Sequence, residues 1–505
     1  MPAEIIGNKL HLDGYIYYRT RRRDERTYWE CRRVRLKECS ARAVTVIRTA
    51  DNQIEVVRGP QQSEHSHPPN REENEAEKLA TRIKRKAEEH PEQRPAQLLR
   101  TELQGTAPGV LSQLPEQTAL VRTIQRARRR NMPSNPKSLN DLLCIPDMYQ
   151  KTLLGEQFLL YDSRTDGSDR SSSEEEDEDV PEGQGQPQAR RVIVFATRKN
   201  IEFLCESPIW FVDGTFKTSP SIFAQIFTVM GLRRRVGSEE AVAIPLVYCL
   251  LSGKQKALYI EALEAVDRAV QQYRIDPCTP TKIMSDFEIA ITNACKRVFP
   301  GTAVSGCFFH LGQSIYRKVQ EVGLQVQYND RNDRSIKEYT HRLLSLAFVP
   351  VADVTRAFNA LHNACPRALH GVYDYFKKNY VTGTPGRGNR RAVPPRYPPQ
   401  LWNQYDTALA KSHRTNNVSE GWHNRFRQVV GKHHPDLYSA LSEFQKEQGY
   451  TEICVQELAL GKKIKYAPSK KWRDLQTRLE NIAAEYNNLP ILEYLSNLQQ
   501  NVNIA

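Results

Sequence analysis

Three acids stand where their residue types and settings suit phosphodiester chemistry. Asp213 closes the apolar run Ile209-Trp210-Phe211-Val212-Asp213-Gly214-Thr215-Phe216, and Asp286 closes Lys282-Ile283-Met284-Ser285-Asp286. Glu420 lies in Thr415-Asn416-Asn417-Val418-Ser419-Glu420-Gly421-Trp422-His423-Asn424. Short apolar runs closed by turn residues read as buried strands, and the segment around Glu420 reads as a helix start that Asn416 or Asn417 can cap. Carboxylate oxygens suit Mg2+ or Mn2+. Two such ions, held by two strand-borne aspartates and one helix-borne glutamate, can drive in-line displacement at phosphorus.

A second group of ligand types lies near the N-terminus. Cys31 and Cys39 are followed by His65 and His67. Two thiolates and two imidazoles make a closed tetrahedral Zn2+ site. The two pairs are separated by β-rich sequence, so the ion would clamp a sheet too small to hold itself together. The spacing is not that of a finger with a helical histidine pair; His65-Ser66-His67 suits a strand or extended loop.

The balance of charge bounds the partner. The 505 residues carry a formal net charge of +13, although Asp162 to Glu182 holds ten acids against two arginines. The remainder is therefore more basic than the total suggests, which suits a polyanion such as DNA. No apolar run approaches the ~20 residues of a membrane span, so no membrane partner is expected. The start, Met1-Pro2-Ala3-Glu4, lacks the basic and apolar regions of a secretory signal. With ten cysteines scattered through such a chain, reduced thiols are expected, a few of them as metal ligands.

The elements that must position these groups follow from pattern. Residues 8–70, within a first domain of 1–70, read as short strands around 15–18, 28–31 and 43–47. Residues 71–160 switch to helical signals, with Leu79, Ile83 and Ala87 on one face, then Leu98, Leu99 and Leu103, then Leu120 and Ile124. The last of three helices ends in Arg126-Ala127-Arg128-Arg129-Arg130. Arg126, Arg128, Arg129 and Arg130 suit nucleic-acid binding by a helix-turn-helix-like unit, and equally a nuclear-import signal, as does Lys84-Arg85-Lys86. Residues 161–190 are acidic, rich in serine and low in complexity, and read as a disordered linker. From 191 to 455 the pattern is α/β, with strands at 192–196, 208–213, 222–232, 241–250 and 281–286. Helices are expected at 256–271, 287–298 and 310–321, and a helical insertion fills about 325–410. Residues 456–505 form a helical tail. Val418, Trp422 and Phe426 make a stripe that can dock the Glu420 helix on the sheet, with His423 and Asn424 on the face of Glu420.

The aromatic, Cys and His pattern of residues 5 to 70 (Tyr17, Tyr28, Trp29, Cys31, Cys39, His65 and His67) resembles the FLYWCH-type zinc finger. The resemblance implies a zinc-dependent β module that binds DNA or protein. The nearby Arg19, Arg21 to Arg23, Arg32, Arg33 and Arg35 are then candidates for phosphate contacts.

Asp213-Gly214-Thr215-Phe216, Ser285-Asp286, Cys307-Phe308-Phe309-His310 and Asn416-Asn417-Val418-Ser419-Glu420 resemble, in order and context, the Mutator-like (MULE) transposase domain over about 205 to 455. That resemblance implies an RNase H-like catalytic core with a DDE triad of Asp213, Asp286 and Glu420. It also implies a nuclear DNA transposase that cuts element ends and joins them to target DNA, working as a homo-oligomer. Cys307, His310 and His423 are expected beside the active site, as organisers or as DNA contacts. The whole chain then reads as multi-domain: a small β-rich zinc finger, a helical linker domain, and an α/β core with a helical insertion. Many relatives carry a Cys- and His-rich zinc motif after the core, whereas here that region has only Cys454. Two other readings remain: a domesticated DNA-binding regulator that keeps the core as a scaffold, and a nuclease that cleaves without joining.

Overall fold

In the N-terminal part, β-formers alternate with polar residues and are punctuated by residues that accept positive φ. Asp13 (φ 49°) and Gly14 (φ 83°) form one hairpin turn, and Asp24 (φ 55°) helps make the next. The structure, a computed structural model, describes residues 3–36, 38–47, 54–60, 64–90, 93, 95–130, 133–166, 190–234, 236, 241–386, 391–410, 417–462 and 470–502. The chain divides into two units, Met1–Ser134 and Asn135–Ala505. The expected acidic linker falls largely outside the described residues.

The first unit opens with a sheet of β1 (Glu4–Ile6), β2 (Lys9–Leu12), β3 (Tyr15–Arg23), β4 (Arg26–Cys31), β5 (Arg42–Ile47) and β6 (Ile54–Arg58), paired in chain order and antiparallel throughout. Thr27, Trp29 and Cys31 alternate inward along β4. The core they join is small, with Leu10, Leu12, Tyr17, Ala41, Ala43 and Cys39. A core of that size needs a further staple.

Four helices follow: α1 (Arg71–Glu89), α2 (Pro95–Leu103), α3 (Pro108–Gln113) and α4 (Gln117–Arg130). Asn70 caps α1 by accepting the Glu73 N–H. Leu79, Ile83, Ala87, Leu98, Leu99, Leu120 and Ile124 meet in one cluster, as their helical spacing predicts. The sequence pattern gives three helices here. The short α3 is added because Pro108 restarts a helix at its first position after Gly105 (φ 77°) breaks α2. His11 Nδ1 lies 2.5 Å from Asn74 Oδ1, and Arg32 reaches Glu73 at 3.0 Å, so α1 is tied to the sheet.

The second unit is built on a mixed sheet of β7 (Leu159–Asp162), β8 (Val192–Phe195), β9 (Ile209–Thr215), β10 (Gln225–Arg234), β11 (Ala241–Leu251), β12 (Lys282–Ser285) and β13 (Ala303–Gly306). The spatial order is β13-β12-β9-β10-β11-β8-β7. From β9 to β7 the neighbours are antiparallel, whereas β12 and β13 run parallel to β9. The register shifts between Val229 and Met230, opposite Pro245, where a bulge accommodates a residue with no N–H to give. Helices α5 (Asp147–Gln150), α6 (Arg198–Cys205), α7 (Lys256–Tyr273) and α8 (Ile289–Val298) accompany these strands. The face formed by Trp210, Val212, Phe227 and Val229 packs on α6, α7 and α8.

The opposite face, with Phe211, Met230 and Tyr248, receives α16 (Asn417–Val430) through Trp422 and Phe426, and α17 (Leu437–Ala459) through Leu441 and Phe444. A separate helical core joins α9 (Phe308–Glu321), α10 (Gln325–Tyr328), α11 (Ser335–Ser345), α12 (Val354–Ala364), α13 (His370–Phe376), α14 (Pro399–Trp402) and α15 (Tyr405–Leu409) to α18 (Lys470–Ala484) and α19 (Ile491–Gln499). The C-terminal helices are thus one body with the helices between β13 and α16. No helix among the described residues is long and apolar enough to cross a membrane.

One expectation is corrected. The thiols were expected to be reduced, yet Cys205 and Cys278 form a disulfide with Cα atoms 4.2 Å apart. The parallel register pairs Ile209 with Lys282, so the segments leading into β9 and β12 arrive side by side and bring these two cysteines together. The eight others form no disulfide.

Candidate catalytic and metal centres

The parallel pair β9 and β12 sets the first two acids. Asp213 lies within β9, and Asp286 follows the last residue of the adjacent β12. Asp213 is 6 % exposed, and its Oδ1 accepts the Gly214 N–H at 2.8 Å. Asp286 Oδ1 accepts the Glu288 N–H at 3.1 Å. Burial, and then the charges of Asp213 and Glu288, push the Asp286 carboxyl up to about 6. The His310 charge opposes this rise but is outweighed by it.

Two helices bring the remaining groups. The N–H of Cys307 donates to Ser285 O at 2.8 Å, continuing the β12–β13 ladder, and Cys307 then caps α9. His310, on the first turn of α9, places Nε2 2.9 Å from Glu420 Oε1. Its Nδ1 is buried. Burial opposes charge on this ring, but the Cys307 sulfur and the Glu420 carboxylate beside it prevail and raise it to about 10. His423, on the same helix as Glu420, places Nδ1 3.2 Å from Asp213 Oδ2, while its Nε2 lies 3.3 Å from Thr228 Oγ1.

Helix α16 is held for this purpose by packing. Trp422 stacks on Phe426 and donates its Nε1 to Glu447 of α17 at 2.9 Å. Ser419 lies 3.2 Å from the Met230 sulfur. The side chain of Val418 and the expected cap at Asn416 or Asn417 lie outside the described residues. Asn424, expected on the face of Glu420, is exposed and accepts from Arg427.

Asp213 and Asp286 lie at the same end of the parallel pair β9 and β12, and carboxylate oxygens are donors of the kind a hard divalent cation takes. Asp213 and Glu420 are presently engaged by histidines. The ligand atoms of the three acids do not form one tight group: among the described residues, only Cys31, Cys39, His65 and His67 have such atoms all within 4.8 Å of one another.

Sequence reasoning missed a strand of partners behind Asp286. Glu288 Oε1 accepts the Tyr259 hydroxyl at 2.6 Å, and Tyr259 in turn is 2.5 Å from Gln225 Nε2. Burial, then the neighbouring Glu288, push the Tyr259 hydroxyl well up, so it stays a donor. Gly214 makes room for this chain, since a Cβ there would meet Gln225 Oε1 at 2.4 Å. The signal available was an acid two positions after a strand-ending aspartate.

In the first unit the four N-terminal ligands do meet. Cys31 Sγ is 3.2 Å from His67 Nε2, and Cys39 Sγ is 3.4 Å from His65 Nδ1. The opposite ring nitrogens are anchored: His65 Nε2 is 2.8 Å from the Tyr17 hydroxyl, and His67 Nδ1 is 3.0 Å from Pro68 O. Anchoring of this kind fixes which nitrogen faces a metal. Tyr15 stacks on the His65 ring at 3.7 Å. Burial pushes Cys31 up to about 11, and burial together with His67 depresses His65 to about 4. Two thiols and two imidazoles so placed fit Zn2+.

The basic end of α4 is less uniform than its sequence. Arg126 and Arg130 are exposed, and the side chain of Arg129 lies outside the described residues. Arg128 turns inward and donates to the carbonyls of Ala87, His90 and Gln93, closing the end of α1.

Two stretches of the chain match known families. Residues 5–67 match the FLYWCH zinc finger domain, and residues 209–314 match the MULE transposase domain. The second match contains Asp213, Asp286, Cys307 and His310, and it ends before Glu420 and His423. No curated protein matches the chain. The chain is thus multi-domain, with one stretch similar to FLYWCH zinc fingers and another similar to MULE transposase domains. The finger and its Cys/His group point to Zn2+, and the two domains together point to DNA as partner, which is consistent with a nuclear site of action.

Proposed function

We propose that the second unit is an RNase H-like DDE transposase core and that the protein cleaves and joins DNA with Asp213, Asp286 and Glu420. The single observation that carries this is the placement of Asp213 on β9 beside Asp286 after its parallel neighbour β12, with α16, the helix of Glu420, reaching Asp213 through His423 at 3.2 Å. The spatial order β11-β10-β9-β12-β13, three antiparallel strands followed by two parallel ones, supports an RNase H-like reading. The helices between β13 and α16 fit the insertion such cores carry before the glutamate.

Mg2+ or Mn2+ bound by the acids would supply activation of water or a DNA 3′-hydroxyl and stabilisation of the leaving oxygen. The chain's own residues prepare for this. His423 fixes the Asp213 carboxylate, and His310 holds Glu420 toward the strands. Docking of Trp422 and Phe426 keeps α16 from drifting, because small misplacements cost large factors in rate. The zinc finger and the exposed arginines of β3, β4 and α4 would supply DNA affinity through phosphates. Holding two DNA ends together calls for a dimer or larger assembly, and the work belongs in the nucleus.

The second reading is a domesticated DNA-binding regulator. One observation favours it: Asp213 and Glu420 are each paired to a histidine rather than gathered around one point. Cleavage of supercoiled plasmid with Mg2+ or Mn2+ separates the two. Nicking that requires both the cation and Asp286, tested with Asp286→Ala, supports the enzyme. Salt-sensitive DNA binding with no nicking, on plasmids carrying the element's own ends as well, favours the regulator.

A further inference from the structure

The buried chain behind Asp286 has no part in the triad. Gln225 on β10 and Tyr259 on α7 are both fully buried. They are polar groups deep in the sheet–helix interface, where the large majority of polar atoms are hydrogen-bonded. Gln225 Nε2 reaches Gly253 O at 2.9 Å and the Tyr259 oxygen at 2.5 Å, and the Tyr259 hydroxyl donates to Glu288 Oε1 at 2.6 Å. The line ends at the segment of Asp286, where the Glu288 N–H donates to Asp286 Oδ1 at 3.1 Å. Glu288 therefore holds two positions at once: its backbone orients Asp286, and its carboxylate is fixed from behind by Tyr259.

We propose that Glu288 is a fourth acid of this site, a positioning residue that, anchored by Tyr259 and Gln225, strengthens divalent-cation binding at Asp286. The inference rests on the two-cation reading above and adds a residue outside its triad. A purely structural account of Glu288 would be a helix-start acid facing solvent. Instead one of its oxygens is tied by the buried hydroxyl, and Gly214 beside Asp213 leaves the space that lets Gln225 close the chain. The carboxylate adds negative field at Asp286, and fixing it keeps that field at the place where a cation would bind.

The test is Mn2+ binding to the full-length, zinc-loaded protein, followed by electron paramagnetic resonance. Wild type is set beside Glu288→Gln, Tyr259→Phe, their double variant and Asp286→Asn, with a thermal melt of each to establish folding. Both single variants are near-isosteric. Each is expected to weaken Mn2+ binding by roughly tenfold, the usual cost of losing an outer partner of a metal site. The double variant should be no weaker than Glu288→Gln alone, because Tyr259 acts through Glu288. Raising Mn2+ should restore plasmid nicking by Glu288→Gln, a rescue that a structural defect would not show. Wild-type Mn2+ affinity in Glu288→Gln, with Asp286→Asn impaired, overturns this inference and leaves the two-cation reading standing. Additive losses in the double variant overturn the relay from Tyr259. No Mn2+ binding by the wild type overturns the two-cation reading itself, and this inference with it.

Discussion

His310 Nε2 lies 2.9 Å from Glu420 Oε1, joining the helix that follows β13 to a helix beyond the whole intervening helical body. That pair governs charge at the site. The pKa of His310 is raised to about 10, so the stabilisation from its proton is complete below about 6.5 and is lost as pH rises through about 10. Replacing Glu420 by Gln removes one of the two groups that favour the charge. His310 should then titrate at lower pH, which histidine-selective NMR would read. An unchanged titration would show that the pair does not set it.

Asp213→Asn should abolish cation-dependent cleavage, by roughly a hundredfold or more, while DNA affinity stays within about twofold, because electrostatic groups at the reacting centre dominate rate and surface arginines dominate binding. Plasmid nicking and a binding titration measure the two. Equal loss of both would assign Asp213 a structural role.

Without added Mg2+ or Mn2+, Asp286 should destabilise the protein at neutral pH. Its carboxyl sits at about 6 in the folded chain against an ordinary value of 3.8, owing to burial and then to Asp213 and Glu288. Between those values the folded state holds more protons, so stability falls as pH rises from about 4 to about 6 and stays low above that. Asp286→Asn should therefore stabilise the second unit by about 1–3 kcal/mol near pH 7.5 and have almost no effect near pH 4. Urea melts at both values decide it, and equal stabilities near pH 7.5 would contradict the assignment.

Removing Zn2+ with a chelator, or Cys31→Ser, should unfold the sheet of β1 to β6 and leave the second unit folded. The apolar cluster there is small and includes Cys31 and Cys39 themselves. Loss of the metal removes what holds it. Near-UV signals from Trp29, compared with thermal melting of Asn135–Ala505, would report this. A sheet that stays folded without zinc would refute it.

Trp422→Ala should cost about 3–5 kcal/mol, because it empties a buried aromatic site and leaves Arg425 as the remaining donor to the Glu447 carboxylate. Cleavage should fall more than DNA binding, since α16 carries both Glu420 and His423. A melt and a nicking assay suffice, and a loss confined to DNA binding would count against α16 as the carrier of catalytic groups.

Much of this arrangement was legible in the chain. Apolar runs of strand length placed β9 and β12, and helical spacing placed Leu79, Ile83, Ala87, Leu120 and Ile124 on one core. Cys31, Cys39, His65 and His67 were legible because ligand types are rare enough to stand out. Less visible were features that depend on register between distant segments. The Cys205–Cys278 disulfide follows from the parallel offset of β9 and β12, which no local pattern carries. The Tyr259–Glu288 bond joins two helices whose sequences read as ordinary amphipathic stretches. Arg128 shows the reverse case: its run of arginines suggests a uniform basic face, yet the geometry of α1 and α4 turns one of them into a helix cap.

Helix α16 is the last carrier of an acid to be made. Synthesis from the N-terminus delivers β9 and β12 early, while Glu420 waits for everything between α9 and α15. On the proposed reading, a chain interrupted before α16 would bear two acids and no third, and would be inert toward DNA. On that same reading the order of elements along the chain would act as a safeguard: products truncated before α16 would lack the third acid, and cutting would await a chain made through that helix.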